Sequence, residues 1–149
     1  MANLTTRLLW ASLVASQFIY VLLAWLVELP PRDGEVLALL TPVLCVMALA
    51  TAVGTIFYRR HALVGPIQSR TLDLTKPAGF AKAFQPFMLN LVLSESIGIY
   101  GLFLAFLSGE VGFSAFFGSA AVAMLWHHRP TSPELVPPMG DYRTAPPIY

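Results

Sequence analysis

The sequence predicts an all-α fold, an integral membrane bundle of four transmembrane helices. Of its 149 residues, 56% are hydrophobic and only 11% are charged, and the mean hydropathy is +0.68. A soluble domain carries about 25% charged residues, so this chain lacks the charge to cover a surface in water. The apolar residues form long continuous runs, as a helix across a hydrocarbon core about 30 Å thick requires. They do not alternate as the strands of a membrane barrel do.

Four apolar segments give the predicted helices, at about residues 8–29, 36–58, 86–107 and 111–126. The first three reach the roughly 20 residues that a spanning helix needs. The fourth is short and requires a locally thinner bilayer or little tilt. The first segment is longer than the apolar run of a signal peptide and lacks a small-residue cleavage motif, so we expect it to be retained.

A weak internal repeat relates the two halves of the chain. The pair Ser16 and Gln17 echoes the pair Ser94 and Glu95, and a Gly-Glu-Val triplet opens both the second and the fourth segment. The repeat is short, and apolar helices often agree by chance. A duplicated helical hairpin and a chance match therefore both stay open.

The basic residues predict the orientation of the chain in the membrane. Arg7 precedes the first segment, the loop between the second and third segments is rich in Arg and Lys, and the tail begins with Arg129. The loop between the first two segments is mostly acidic, and the turn between the last two carries only Glu110. We therefore expect both termini and the long basic loop to be cytoplasmic.

Two regions follow from this pattern, a transmembrane domain over residues 1–129 and a proline-rich tail over residues 130–149. The tail has no apolar periodicity and cannot bury enough surface to offset its ordering entropy. We expect an extended cytoplasmic arm. Docking of its last residues, Pro146 to Tyr149, on a partner subunit is the alternative to a disordered end.

Glu95 is the one charged residue in the interior of a long apolar segment, since Glu28 lies at the very end of the first. It lies near the middle of the third segment, and because a helix rises about 1.5 Å per residue, that position is near the centre of the bilayer. An ionisable residue at such depth is costly and marks a candidate functional site. The alternative is a protonated carboxyl group that locks two helices together by a hydrogen bond worth about 1 kcal/mol or less. The candidate partners for such a lock are Ser12, Ser16, Gln17 and Asn90.

Small residues form a stripe along the same segment, at spacings of four, three, four and three. They are Ser94, Gly98, Gly101, Ala105 and Ser108. Small residues let membrane helices approach closely, where packing drives association. Because Glu95 borders the stripe, we expect it to face protein and not lipid.

The run from Glu95 to Phe106, Glu-Ser-Ile-Gly-Ile-Tyr-Gly-Leu-Phe-Leu-Ala-Phe, resembles the carboxylate-bearing helix of the rotary-ATPase proteolipids. These are subunit c of the F-type ATP synthases and its V/A-type relatives. The second segment adds small residues that alternate with bulkier ones, as on the inner helix of that family. These residues are Ala48, Ala50, Ala52 and Gly54. The resemblance covers roughly residues 43–107.

The resemblance implies that Glu95 is an ion-carrying carboxylate with Ser96, Tyr100 and Gly101 in its surroundings. It also implies that the alternating small residues pack against neighbouring copies of the chain. Ser96 is similar to a residue of the sodium-binding members of the family, but the second segment has no Gln to complete such a site. A proton is therefore the expected ion.

Other chemistry is sparse. The sequence has no nucleophile–base pair, phosphate loop or haem motif, and its histidines are not spaced as a ligand set. We therefore expect no catalytic site of its own, no cofactor, no metal and no nucleic acid partner. Two functions remain, an ion-translocating, proteolipid-like subunit or a structural or accessory subunit of a larger membrane complex. The expected partners are the lipid bilayer, other membrane subunits and copies of the chain itself.

Overall fold

The computed structural model describes residues 4–27, 34–74, 77–131 and 135. The helices are α1 (Leu4–Leu26), α2 (Gly34–Arg59), α3 (Gly65–Gln68), α4 (Pro77–Ser108) and α5 (Val111–His127), and a π-helical turn (Arg60–Val64) joins α2 to α3. The predicted all-α fold is confirmed, since the four predicted segments correspond to α1, α2, α4 and α5.

The surface of the bundle is suited to lipid. By length and composition α1, the continuous run from α2 to α3, and α4 can each cross a membrane, and α5 is a shorter apolar helix. Large apolar side chains are exposed on the outside, among them Phe116 (71% exposed), Leu39 (69%) and Trp25 (69%). In water each such side chain forgoes about 1.5–3 kcal/mol of burial free energy. The chain is therefore a multi-pass membrane protein in contact with the bilayer.

The helix boundaries around the basic loop differ from the prediction. Helix continues past the end of α2 to Gln68, and α4 begins at Pro77 and not at Pro86. Proline is favoured at the first position of a helix, and Pro77 takes that position, whereas Pro86 lies inside α4. The added turns are amphipathic, because Ala83, which they carry, is buried one turn before buried Phe87. Burial of this face offsets the backbone hydrogen bond that Pro86 cannot make.

The first predicted segment is also displaced, because α1 covers Leu4–Leu26 and the predicted residues 28–29 lie outside the described residues.

The hairpin of α4 and α5 forms the centre of the bundle. Gly109 closes it with a φ of 74°, and its amide donates to the carbonyl oxygen of Ala105 over 2.9 Å. A positive φ favours glycine at the end of a helix. α1 packs against both α4 and α5, whereas α2 packs chiefly against α4. α1 and α2 do not pack together as α4 and α5 do, so the internal repeat stays a prediction from the sequence.

Two clusters of buried side chains hold the helices together. The first comprises Leu63, Val64, Ile67, Ala83, Phe87, Leu91, Leu125 and Leu135. The second comprises Ala48, Ile97, Leu104, Phe117 and Ala121. Leu135, from the predicted tail, is buried in the first cluster. The rest of the predicted arm, residues 132–134 and 136–149, lies outside the described residues.

Two hydrogen bonds show which helix ends lie together. The indole nitrogen of Trp10 in α1 donates to the carbonyl oxygen of Leu125 over 2.7 Å, and Arg59 Nη1 donates to the carbonyl oxygen of His127. The start of α1 and the ends of α2 and α5 therefore share one end of the bundle, called here the basic end. Its basic residues include Arg7, Arg59, Arg60 and Arg129. Glu35 and Glu110 lie at the opposite end. The side of the membrane that each end faces stays a prediction.

Candidate functional site

Glu95 lies half-buried on α4 and is bound by α1. Its Oε1 atom accepts a hydrogen bond from the hydroxyl of Ser16 and another from the hydroxyl of Tyr20, both at 2.9 Å. From Glu95 to the end of α4 at Ser108 is about 20 Å, from a rise of about 1.5 Å per residue, so the carboxyl group lies deep in the bundle. Both donors are neutral hydroxyl groups. The site is thus a carboxyl group held between two helices by neutral donors.

The spacing of the two donors explains why α1 binds Glu95. Ser16 and Tyr20 are four residues apart, so they lie on one face of α1, one turn above the other. Sequence reasoning named Ser16 as a partner of Glu95 and missed Tyr20. The four-residue spacing from Ser16 is the feature of the sequence that could have identified Tyr20.

The Ser16 hydroxyl lies close to three polar groups but has only one proton to donate. Its Oγ atom lies 2.7 Å from the carbonyl oxygen of Leu13, 2.9 Å from Glu95 Oε1 and 3.3 Å from Gln17 Nε2. A hydroxyl group donates one hydrogen bond and accepts two. If Ser16 donates to Leu13, all three contacts are satisfied when Glu95 is protonated and donates to Ser16. If Glu95 is ionised, Ser16 turns and donates to Glu95.

The other predicted partners of Glu95 bind elsewhere. Ser12 donates to the carbonyl oxygen of Leu9, and Asn90 donates to that of Pro86, both at 2.8 Å. Gln17 is 2% exposed and reaches Glu95 only through Ser16. In these residues the N–H and O–H donors bond within their own helix, as short polar side chains commonly do. Of the four alternative partners, the structure therefore selects Ser16, and Tyr20 adds a second direct contact.

The structure places Ser96 and Tyr100 away from the carboxyl group. Ser96 donates to the carbonyl oxygen of Leu93 over 2.7 Å, and Tyr100 packs against the second core cluster. Among the described residues, neither forms a hydrogen bond with Glu95. Their part in ion binding stays a prediction.

The stripe of small residues on α4 faces the other helices of this chain. Ser94, Gly98, Gly101 and Ala105 are all buried. A Cβ atom at Gly98 would lie 1.7 Å from Gln17 Oε1, on α1. A Cβ atom at Gly101 would lie 2.4 Å from Phe117 Cβ and 2.8 Å from a backbone oxygen, both on α5. Close approach of α1 and α5 to α4 therefore depends on these glycines.

The alternating small residues of α2 divide between two faces. Ala48 is buried in the second core cluster, and Ala52 packs beside it. Ala50 is exposed, and the space around Gly54 is open to 4 Å. Ala50 and Gly54 are thus available to a second molecule, while Ala48 is used within the chain. Contact with neighbouring copies stays a prediction.

Within the described ranges, no group of three or more His, Cys, Asp or Glu side chains is placed to hold a metal ion. The resemblance to the proteolipids rests on the residues quoted above. Comparison of the chain with models of protein families, with curated proteins and with solved structures finds no match.

Proposed function

We propose that this chain is a membrane subunit in which Glu95 binds and releases a proton within the bilayer, as the resemblance to the proteolipids implies. The observation that carries the proposal is the Ser16 hydroxyl, whose single proton has two acceptors within reach, the carbonyl oxygen of Leu13 and Glu95 Oε1. By rotating about its C–O bond, this hydroxyl group can donate to Leu13 when Glu95 is protonated and to Glu95 when it is ionised. A site that serves both states suits proton exchange.

In the protonated state the Glu95 carboxyl group donates to Ser16 and accepts from Tyr20. Ser16 then donates to the carbonyl oxygen of Leu13 and accepts from Gln17. In the ionised state both hydroxyl groups donate to Oε1, and these hydrogen bonds to a charged acceptor are stronger than those to a neutral one.

Proton release requires something that stabilises the charged carboxylate. Glu95 is only half-buried, so one side of it is open to a molecule that lies against α4. A cationic side chain on a partner subunit would favour the ionised form by Coulomb attraction in a medium of low dielectric constant. A neighbouring membrane subunit that carries Arg or Lys at this depth is the partner this mechanism requires.

Labelling with a hydrophobic carbodiimide tests the proposal, because this reagent reacts with protonated carboxyl groups. We expect an adduct at Glu95 at about pH 7, where a solvated glutamate is ionised, and less adduct as the pH rises. Glu35 and Glu110 are exposed and serve as internal controls in the same peptide map. Labelling of Glu95 no greater than that of these two residues would mean that Glu95 does not hold a proton.

The same contacts favour a second function, a polar lock in a structural subunit. The hydrogen bonds from Ser16 and Tyr20 join α1 to α4 whether or not Glu95 ever changes charge. Glu95→Gln separates the two functions, because the amide oxygen of Gln can accept both hydrogen bonds, whereas the amide group cannot bind and release a proton. Normal assembly with lost proton movement supports proton exchange. Normal assembly together with normal activity of the parent complex leaves Glu95 as a lock.

A further inference from the structure

A polar pocket opens at the basic end of the bundle, between the run from α2 to α3 and the end of α5. Its volume is about 300 Å³, and it is lined by Ile56, Arg59, Arg60, Val64, Gln68 and His127. Four of these side chains can donate hydrogen bonds, and the two aliphatic ones form an apolar wall. No acidic residue lines the pocket in the described part of the chain. The chemistry of the lining suits an anion.

The end of α5 fixes the position of the positive charge. Arg59 is 3% exposed and donates to the carbonyl oxygen of His127, which places a guanidinium group at the base of the pocket. Arg60, Gln68 and His127 are exposed at its rim. Burial, followed by the positive charges of Arg59 and His127, lowers the pKa of His128 to about 3. His128 is therefore neutral at neutral pH and adds no charge beside the pocket.

Aromatic residues place the pocket at the level of the lipid head groups. Trp126 lies next to the pocket residue His127, and its side chain is 57% exposed. The guanidinium carbon of Arg129 lies 5.2 Å from the centre of that ring, and the ring of Trp10 lies 5.7 Å away. Tryptophan is enriched at the boundary between hydrocarbon and water. An anion in the pocket therefore lies where phospholipid phosphates lie.

A second, apolar cavity, called here the groove, lies between the same two helices on the side of the pocket nearer the bilayer centre. Its volume is about 350 Å³. Alanines line both of its walls, Ala48 and Ala52 on α2 and Ala120 and Ala123 on α5. Because these side chains are small, they do not fill the space between α2 and α5. Ala52 of the groove lies one turn before Ile56 of the pocket, so the two cavities follow one another along the same side of α2, with the groove nearer the bilayer centre.

We propose that the pocket and the groove together form a binding site for one anionic phospholipid. The phosphate group accepts hydrogen bonds from Arg60, Gln68 and His127 at the rim, and one acyl chain fills the groove. Arginine binds phosphate through two parallel hydrogen bonds, and basic pockets between membrane helices bind anionic head groups. The groove is what favours a lipid over a soluble phosphate, which has no apolar part.

Native mass spectrometry of the full chain in mild detergent tests the proposal with phosphatidylglycerol and phosphatidylcholine of equal chain length. We expect tighter binding of phosphatidylglycerol, and we expect Arg60→Gln to weaken it roughly fivefold, the effect of one basic residue near an anionic lipid. Arg7→Gln is the matched control, because Arg7 is exposed at the same end and does not line the pocket. An equal loss of phosphatidylglycerol affinity in the two variants would show that only the net charge of the basic end matters. That result would overturn the proposal.

A second pair of variants tests the groove. Ala123→Phe fills the groove from α5 and should weaken phosphatidylglycerol binding, whereas Ala50→Phe, on an exposed face of α2 outside the groove, should not. Millimolar inorganic phosphate should not displace the lipid. If phosphate displaces it and Ala123→Phe binds lipid as the wild type does, the pocket takes a soluble anion and the lipid site is wrong.

Discussion

At the scale of single residues, one hydroxyl group connects the fold to the proposed chemistry. Ser16 lies between a backbone oxygen of its own helix and the carboxyl group of Glu95. It therefore joins α1 to α4, and in the proposed proton exchange it adjusts to the charge of Glu95. Tyr20 adds a second donor to the same oxygen.

We expect Ser16→Ala to lower the free energy of unfolding by about 0.6 kcal/mol, a typical value for a hydrogen bond between membrane helices. Ser12→Ala is the control, because Ser12 lies on the same helix, is exposed, and donates only to its own backbone. Unfolding in mixed detergent micelles measures both variants. An equal loss in the two would show that the contact with Glu95 contributes nothing to stability.

The sequence predicted this site in part. The cost of a charge in hydrocarbon is enough to single out Glu95, and its neighbour Ser16 was among the expected partners. The sequence could not single out Ser16 among its four alternatives, because short polar side chains in a helix also bond readily to the preceding turn, as Ser12 and Asn90 do. The choice between a local and an interhelical bond depends on the rotation of α1 about its axis, which a nearly uniform apolar helix does not reveal.

At the scale of the helices, the small residues of α4 determine how closely its neighbours approach. Gly98 lies against the Gln17 side chain of α1, and Gly101 lies against α5. The stripe was predicted from its spacing alone. The sequence did not predict which helix covers each part of the stripe, because small residues allow close contact with any neighbouring helix.

We expect Gly101→Ala to destabilise the protein by about 2 kcal/mol, as overpacking of a tight contact does. The new methyl group would meet both a side chain and the backbone of α5, so the helix itself must move. Gly54→Ala is the matched control in open space, and there the higher helix propensity of alanine should stabilise by up to about 1 kcal/mol. The same two variants measured by thermal unfolding should therefore shift in opposite directions. Shifts of the same sign and size would mean that α4 and α5 are not in close contact at Gly101.

The start of α4 shows a second limit of the sequence. A proline within an apolar run usually marks a helix end, so the sequence predicts that the third helix begins at Pro86. The structure extends the helix to Pro77, because Ala83 and Phe87 continue the buried face across the proline. This compensation depends on the partners Leu63 and Ile67, which come from a region predicted as a loop.

At the scale of the whole molecule, charge is separated along the bundle. The start of α1, the ends of α2 and α5, and the loop before α4 share the basic end, and the acidic residues that open α2 and α5 lie at the other. Composition and charge were enough to predict the number of helices and this separation. The packing order, with α4 and α5 central, was not predictable. Side chains that face lipid and side chains that face other helices are equally apolar, so the sequence shows no pattern that separates the two.

The positive-inside rule predicts that the basic end is cytoplasmic. In a Cys45→Ala background, a membrane-impermeant thiol reagent should label Ser69→Cys from the cytoplasmic side and Gly34→Cys from the opposite side. Both positions are exposed, and Cys45, itself exposed, must be removed first. Labelling of the two from the same side would contradict the topology.

The change of charge on Glu95 is measured most directly by infrared difference spectroscopy of the protein in lipid vesicles. Between about pH 6 and pH 9, solvated Asp and Glu side chains stay ionised and contribute no carboxyl band. We predict that the wild type loses a protonated-carboxyl C=O band reversibly as the pH rises across this range, and that Glu95→Gln lacks the band. A wild-type spectrum with no such band, or a band that persists in Glu95→Gln, would contradict the proposal that Glu95 exchanges a proton.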